Sequence, residues 1–405
     1  MKAINGKFKN GLRYIIVNTE CENNAHISVN VYAGSRDEDN SNKGISHFLE
    51  HMLFKGTKNY PTTKKLTWEI EKYGGDFNAY TSLDHTKYHI DIPNKYINKA
   101  VDILYEIINE SLLEEKEIKK EIKVILNEKR ISEGDESDVC IDKLLKLSID
   151  NINTDILGDY NNIKNINRGE LIKYLEEYYT PENMILTLVG NNINKNIINK
   201  FNNIKNKNKN IIKKKAKILN NIQTIYKKGI LPQANIAIGY QIDIKDNILY
   251  DFIDYILTGH FSSRLYLILR EKYSLIYNIN ISLEFIDKNG LFIIHYSTKN
   301  NKKNIEKSIK LILIELERLK KEMNDKFLND QKNGMINKLI NNMSYNDNIG
   351  DFMTYNLFYH KKIISIKEYM DKVKKIKKKD ISMISEKIFN INNIKISYIS
   401  KNNIL

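Results

Sequence analysis

The order of local patterns in this chain occurs twice. In the first half, strand-like runs at 12–17 and 26–33 lead to a helix over 45–55. Two strands, long helices and a buried-type strand over 184–190 follow. In the second half a strand over 233–242 leads to a helical stretch over 248–272 and a strand over 291–298. Long helical segments over 304–345 and 366–388 then precede a closing strand over 394–400. Strand, helix, strands, long helices, strand, met twice, constrains the chain to an α+β fold of two homologous domains. Each is expected to be a mostly antiparallel sheet covered by helices. The length of 405 residues agrees, because it exceeds one ordinary core.

The periodicities place the elements. In "HISVNVYA", Ile27, Val29 and Val31 point to one face and His26, Ser28 and Asn30 to the other. A helix is read over 62–73, a turn at Gly74 and Gly75, and strands over 78–81 and 86–92. Further helical patterns fill 95–110, 114–131 and 168–178. Between the halves, "NNIKNKNKNIIKKKAK" is nearly all Asn, Lys and Ile, with Lys at 205, 207, 209, 213, 214, 215 and 217. It reads as a linker over 202–220, between an N-terminal domain at 1–201 and a C-terminal one at 221–405.

Composition narrows the function classes. The apolar fraction is 41% and the charged fraction 28%, values of a folded chain rather than a disordered one. No apolar run is long enough to span a bilayer, so no membrane partner is expected. The N-terminus lacks the apolar core of a secretory signal. That points to the cytoplasm, or to an organelle such as the mitochondrial matrix if a presequence is absent or removed. Only Cys21 and Cys140 are present, far apart, which fits a reducing compartment. The net charge of +14 is carried mostly by lysine travelling with Asn and Ile, as strong AT bias would produce. Without a zinc finger, an RNP signature or a helix-turn-helix, it does not mark a nucleic-acid partner.

The chemistry is concentrated in "GISHFLEHMLFKGT", residues 44–57. His47 and His51 are four apart, so on a helix both imidazoles face the same way and can hold one ion. Zinc takes imidazole nitrogen readily and needs about three protein ligands if water is to fill the fourth place. Glu50 stands beside His51, placed to reach that water as a general base. H-x-x-E-H is the reversed order of H-E-x-x-H. The competing reading is a surface helix that happens to carry histidines. A third ligand is available on the helix near 114–130. Glu121 and Glu128 are two turns apart and sit beside Ile118, Ile122 and Ile125. One can ligate zinc while the other hydrogen-bonds a ligand histidine and fixes its tautomer.

Four segments in order resemble the pitrilysin/insulinase-like zinc peptidases, in particular their processing-peptidase branch. They are "GSRDEDNSNKGISHFLEHMLFKGTKNYP", "EKYGGDFNAYTSLDHTKY", "YYTPENMILTLVGN" and "FSSRLYLILREKYSLIYNI". The resemblance covers nearly the whole chain. It implies a zinc endopeptidase acting on short or unfolded peptides, or precursor leader segments, bound as an added β-strand in a closed chamber. Carried to matching positions, it makes His47, His51 and Glu128 the ligands of one zinc per chain. Glu121 becomes the carboxylate behind a ligand histidine, and Glu50 the base. Asn78, Ala79 and Tyr80 become the edge strand that pairs with substrate. Arg270 and Tyr277 become the pair that positions substrate and steadies developing charge. A chamber of four domains implies a dimer. Because this chain carries both the zinc motif and the Arg/Tyr pair, a homodimer is expected, a heterodimer with a related subunit being the other arrangement.

Two departures stand out. "TGHFSSRL" has His260 and Phe261 where glycine or small residues are common, and Leu83-Asp84-His85 replaces a more usual small-polar, Glu-containing run. His85 and His89 are read as strand residues. Two rival functions remain in view: a non-catalytic core-type subunit of a larger complex, and a basic nucleic-acid-binding protein.

Overall fold

A computed structural model describes residues 2–20, 23–205, 211–219 and 221–404. Thirteen strands are found among them. In chain order β1 is Lys2–Lys7, β2 Arg13–Asn18, β3 Asn24–Val31, β4 Asp76–Thr81 and β5 Thr86–Pro93. Next come β6 Ile149–Asp150, β7 Met184–Gly190, β8 Lys217–Ile218 and β9 Gln223–Lys228. The last four are β10 Gln233–Asp243, β11 Ile276–Ile286, β12 Asn289–Lys299 and β13 Lys395–Ser400. The helices that matter most below are α1 Ile45–Leu53, α2 Thr63–Glu71, α3 Ile97–Asn109, α4 Glu115–Gly134 and α5 Glu136–Ser148.

The chain forms two compact units, each with its own mixed sheet. The first has strand order β1-β2-β7-β3-β5-β4, and the second β11-β12-β10-β13-β9. All pairings in them are antiparallel except β2 with β7 and β13 with β9. The expected α+β duplication with mostly antiparallel sheets is therefore what the chain adopts. A short β6–β8 ribbon accompanies the second unit.

A single cut does not separate the units. The first comprises Met1–Lys129, Ile152–Lys215 and Asn342–Ile363, and the second Arg130–Asn151, Ala216–Asn341 and Ile364–Leu405. The divisions expected at 201 and 221 thus assign two segments to the wrong body. The reason is packing. Helix α5 lies on the second sheet, where the Cys140 thiol donates to the carbonyl oxygens of Asn235 and Ser397, 3.4 and 3.3 Å away. Helix Asn346–Tyr359 lies on the first sheet, where the Thr354 hydroxyl is 2.7 Å from that of Thr187. Neither helix is marked in the sequence by a long apolar stripe. Two longer helical readings also break up: 304–345 divides into Lys302–Lys321 and Asp325–Asn342, and 366–388 into Ile366–Lys375 and Lys378–Ile388.

The first sheet shows why strand alternation can mislead about exposure. Ile27, Val29 and Val31 join the core with Phe48, Leu49, Leu66, Ile103 and Leu104. The opposite face carries His26, Ser28 and Asn30, and it too is buried. Helix Asn346–Tyr359 covers it through polar contacts: Lys87 pairs with Asp351, and the Asn346 amide donates to the Asn24 carbonyl at 2.7 Å. Burying these groups would be costly without such partners.

No helix among the described residues is long and apolar enough to cross a membrane. Cys140 is buried and free. Cys21 lies outside the described residues, as do positions 206–210 of the expected linker.

Candidate metal centre

Helix α1 starts at a built turn. Gly44 has φ +91, and a Cβ there would come within 2.7 Å of the Leu157 carbonyl oxygen, so only glycine fits. The first amides of the helix are capped from a distance by Glu38. Its carboxylate accepts from the Gly44 and Ser46 backbone N–H groups at 2.8 and 2.9 Å. The Asn153 amide donates to it as well, at 2.7 Å. A carboxylate at this end also meets the positive end of the helix dipole. Replacing Glu38 by Ala leaves three N–H donors without that acceptor. The Asn153 amide keeps the Asp155 carbonyl as acceptor, so at roughly 1–3 kcal/mol for each of the two orphaned backbone donors stability is expected to fall by roughly 2–6 kcal/mol. Faster amide exchange at Gly44 and Ser46, with a lower denaturation midpoint, checks it.

The loop before α1 is strapped by the linker. Lys213 pairs with Asp37 at 3.0 Å and its ammonium lies 4.7 Å from the Tyr32 ring centre. Lys214 pairs with Asp39 at 2.6 Å, and the Arg36 guanidinium donates to the Lys214 carbonyl at 2.5 Å. Composition reads this stretch as a linker, and two of its lysines bind the approach to the metal helix.

Apolar residues of α1, among them Ile45, Phe48, Leu49, Met52 and Leu53, enter the core and leave His47, Glu50 and His51 together. On α4, Ile118 and Ile125 are buried in the same core, which turns Glu121 and Glu128 toward α1. His47 Nε2 is 3.5 Å from Glu128 Oε1, and His51 Nε2 is 3.5 Å from Glu128 Oε2. One ligand atom from each of His47, His51 and Glu128 lies within 4.8 Å of the others. Four donors placed tetrahedrally about zinc at ordinary bond lengths stand roughly 3.4 Å apart, so this set fits the ion.

The surroundings match that chemistry. Glu121 Oε1 is 2.8 Å from His51 Nδ1, and its other oxygen pairs with Lys55 at 2.6 Å. A proton held on Nδ1 by that carboxylate leaves His51 Nε2 bare toward Glu128. Burial disfavours charge on His51, but the Glu121 hydrogen bond and the charges of Glu50 and Glu128 outweigh it and raise its pKa. The His47 hydrogen bond, ahead of the opposing effect of burial, holds Glu128 low. Lys55 balances Glu121. Glu50 and Glu128 remain as negative charge that a divalent cation would neutralise.

Glu50 is buried, and its Oε2 accepts from the Thr81 hydroxyl at 2.6 Å. Thr81 ends β4, the outer strand of its sheet. Asn78 and Tyr80 point out from β4, while Phe77, Ala79 and Thr81 are partly covered on the α1 side. The edge position expected for Asn78, Ala79 and Tyr80 is what the sheet order shows. Thr81 lies in the segment EKYGGDFNAYTSLDHTKY, and nothing local in that segment signals its hold on Glu50. His89 lies in β5, but His85 sits in the β4–β5 turn rather than in a strand; its Nδ1 is 2.8 Å from the Ser82 hydroxyl.

Arg270 and Tyr277 belong to the second unit. Arg270 lies on a π-turn, Leu267–Lys272, and Tyr277 stands near the start of β11. The guanidinium carbon is 4.9 Å from the Tyr266 ring centre and 5.0 Å from that of Tyr277.

Comparison with known families decides the lineage. A model described as insulinase (peptidase family M16) matches residues 13–153, and one described as the peptidase M16 inactive domain matches residues 165–335. The chain belongs to peptidase family M16. An uncharacterized zinc protease of Rickettsia bellii is 29% identical over 412 residues, covering 95% of this chain and 94% of that protein. The mitochondrial-processing peptidase subunit beta of Bos taurus is 40% identical over 186 residues, which is 45% of this chain and 37% of that subunit. A protease from Helicobacter pylori shares the fold at TM-score 0.88 and 22% identity, over 98% of this chain and 99% of that one. Members of the family thus include zinc proteases, and the His47, His51, Glu128 group is where this chain can hold a metal.

Proposed function

We propose that the protein is a zinc-dependent endopeptidase that cleaves short or unfolded peptides, precursor leader segments among them. The observation that carries this reading is the meeting of His47, His51 and Glu128 at zinc-like spacing beside a buried Glu50. His47, His51 and Glu128 would hold the zinc, which would supply Lewis-acid activation of a water and of the scissile carbonyl. Glu121 keeps His51 in the tautomer that ligates. Thr81 fixes one oxygen of Glu50, leaving the other to take a proton from the attacking water and return it to the leaving amine. The free edge of β4 at Asn78, Ala79 and Tyr80 binds the peptide backbone as an added strand. Arg270 and Tyr277 position the substrate and offset charge developing on the carbonyl oxygen. A scaffold subunit has no physical need for His47, Glu50, His51 and Glu128 together.

The test is metal dependence. The purified chain is expected to hold about one zinc, to lose peptide hydrolysis on chelation and to regain it when zinc is restored. Hydrolysis indifferent to a chelator sinks the reading.

Within this reading the working form is a homodimer enclosing a chamber, with Arg270 and Tyr277 of one copy serving the zinc of the other. Glu50→Gln and Arg270→Ala chains, each inactive alone, are then expected to recover activity when mixed. A mixture as dead as its parts argues that each chain works by itself.

A further inference from the structure

Helix Lys302–Lys321 is 20 residues long and buries only one side. Ile305, Ile312, Leu316 and Leu319 pack inward, on the side of β12 and helix Lys378–Ile388. Spacings of three and four residues gather Glu306, Lys310, Leu313, Ile314, Glu317 and Lys321 on the other side, Leu313 half-buried and the rest exposed. All six line one open groove of about 650 Å³. At its middle Leu313 and Ile314 adjoin, and Ile314 is 38% exposed. An aliphatic pair set in a groove and rimmed by charge has the form of a contact face.

The charges around that pair are ordered. Along the helix they run Glu306, Lys310, Glu317, Lys321, alternating in sign. Turned end over end about the midpoint of Leu313 and Ile314, this row meets itself with every sign opposed. Glu306 then faces Lys321, and Lys310 faces Glu317. A parallel pairing sets like charge on like and is disfavoured. Within one chain Glu306 pairs with Lys302 and Glu317 with Lys320, exposed contacts that hold little energy. Among the described residues Lys310 and Lys321 make no salt bridge. A face complementary to itself under a two-fold rotation is the signature of an isologous contact. It names its occupant, which is a second copy of this chain.

We infer that helix Lys302–Lys321 is an antiparallel contact face between two copies of this chain. Leu313 and Ile314 lie at the two-fold axis, Lys310 beside the partner's Glu317 and Glu306 beside the partner's Lys321. One helix pair stands at the small end of interface sizes, so the contact is concentration-dependent, with a Kd on the order of 10 µM. The inference stands apart from the peptidase reading, because this helix carries no residue assigned to metal or substrate. A dimer that encloses a chamber through another face is a separate contact.

The experiment reads the face itself. Full-length Ile314→Cys chain is treated with a short bismaleimide over a dilution series from about 100 µM, and adducts are mapped by mass spectrometry. An adduct joining position 314 of two copies is expected. Lys303→Cys is expected to give none, because antiparallel pairing holds that position about 30 Å from its counterpart. Adding Lys310→Glu to Ile314→Cys is expected to raise the concentration for half-maximal adduct at least tenfold, since like charges then meet at two places. Adding Glu317→Lys as well is expected to return it to within about twofold of the starting value. All the substituted side chains are exposed, so folding is not at risk. Absence of the 314 adduct overturns the inference and leaves the face to solvent or to a different protein. So does an adduct indifferent to Lys310→Glu, a charge swap that restores nothing, or equal adduct at position 303. A dimer in sedimentation without the 314 adduct uses another face, which overturns this inference and leaves the chamber reading standing.

Discussion

Glu50→Gln is expected to lower kcat for peptide hydrolysis by roughly 10²–10⁴ while zinc stays bound. The glutamine keeps the volume of the side chain, and its carbonyl oxygen can still accept from Thr81 Oγ1, now 2.6 Å from Glu50 Oε2. What it loses is the ability to take a proton. Because Glu50 is not in the ligand group of His47, His51 and Glu128, zinc content should equal that of the wild type. KM should change little, since binding is assigned to the β4 edge and to Arg270. Steady-state kinetics with metal analysis on the same preparation checks all three quantities. A fall of less than tenfold removes Glu50 from the role of base, and loss of zinc makes it a ligand.

The second large effect concerns the two carboxylates of α4. Glu121→Gln is expected to weaken zinc by roughly 10–100-fold, the usual consequence of losing the partner behind a ligand histidine. The amide keeps one acceptor oxygen and no charge, so it cannot serve both the 2.8 Å bond to His51 Nδ1 and the 2.6 Å pairing with Lys55. An amide can also turn its NH₂ to His51 and favour the wrong tautomer. Glu128→Gln should cost more, because a neutral amide replaces the anionic member of the group that faces both imidazoles at 3.5 Å. Competition with a chromophoric chelator ranks the two. If either variant holds zinc as tightly as the wild type, its assigned place at the metal is wrong.

These outcomes bear on how much of the molecule is legible in the chain. The i,i+4 spacing of His47 and His51 and the two-turn spacing of Glu121 and Glu128 predict shared faces, and both helices form. The edge segment Asp76–Thr81 is read nearly to its ends, because period-two alternation is a local property. The lysine-rich stretch is read as a linker, yet Lys213 and Lys214 grip Asp37 and Asp39 beside the metal helix. Nothing in a biased composition separates a bound lysine from a solvated one. The place of helix Asn346–Tyr359 in the first unit is illegible in the sequence for a related reason. Its contacts with the sheet at Lys87, Thr187 and Asn24 are polar and lie more than 160 residues away in the chain.

By itself the sequence determined the two-domain α+β class, the metal-type histidine pair and the strand offered at the sheet edge. The histidine pair follows from helical geometry within a few residues, the domain class from an order of elements met twice, and the edge strand from the family resemblance. Spacing alone left open which α4 carboxylate faces both histidines; the resemblance named Glu128 for that place and Glu121 for the one behind His51, and the tertiary structure sets Glu128 against both imidazoles and Glu121 against His51 Nδ1. It also decided that Glu38 caps the metal helix, that Thr81 holds Glu50, and that the polar face of the first sheet is buried. Those are contacts between residues distant in the chain. Core packing, rather than local spacing, sets their distances.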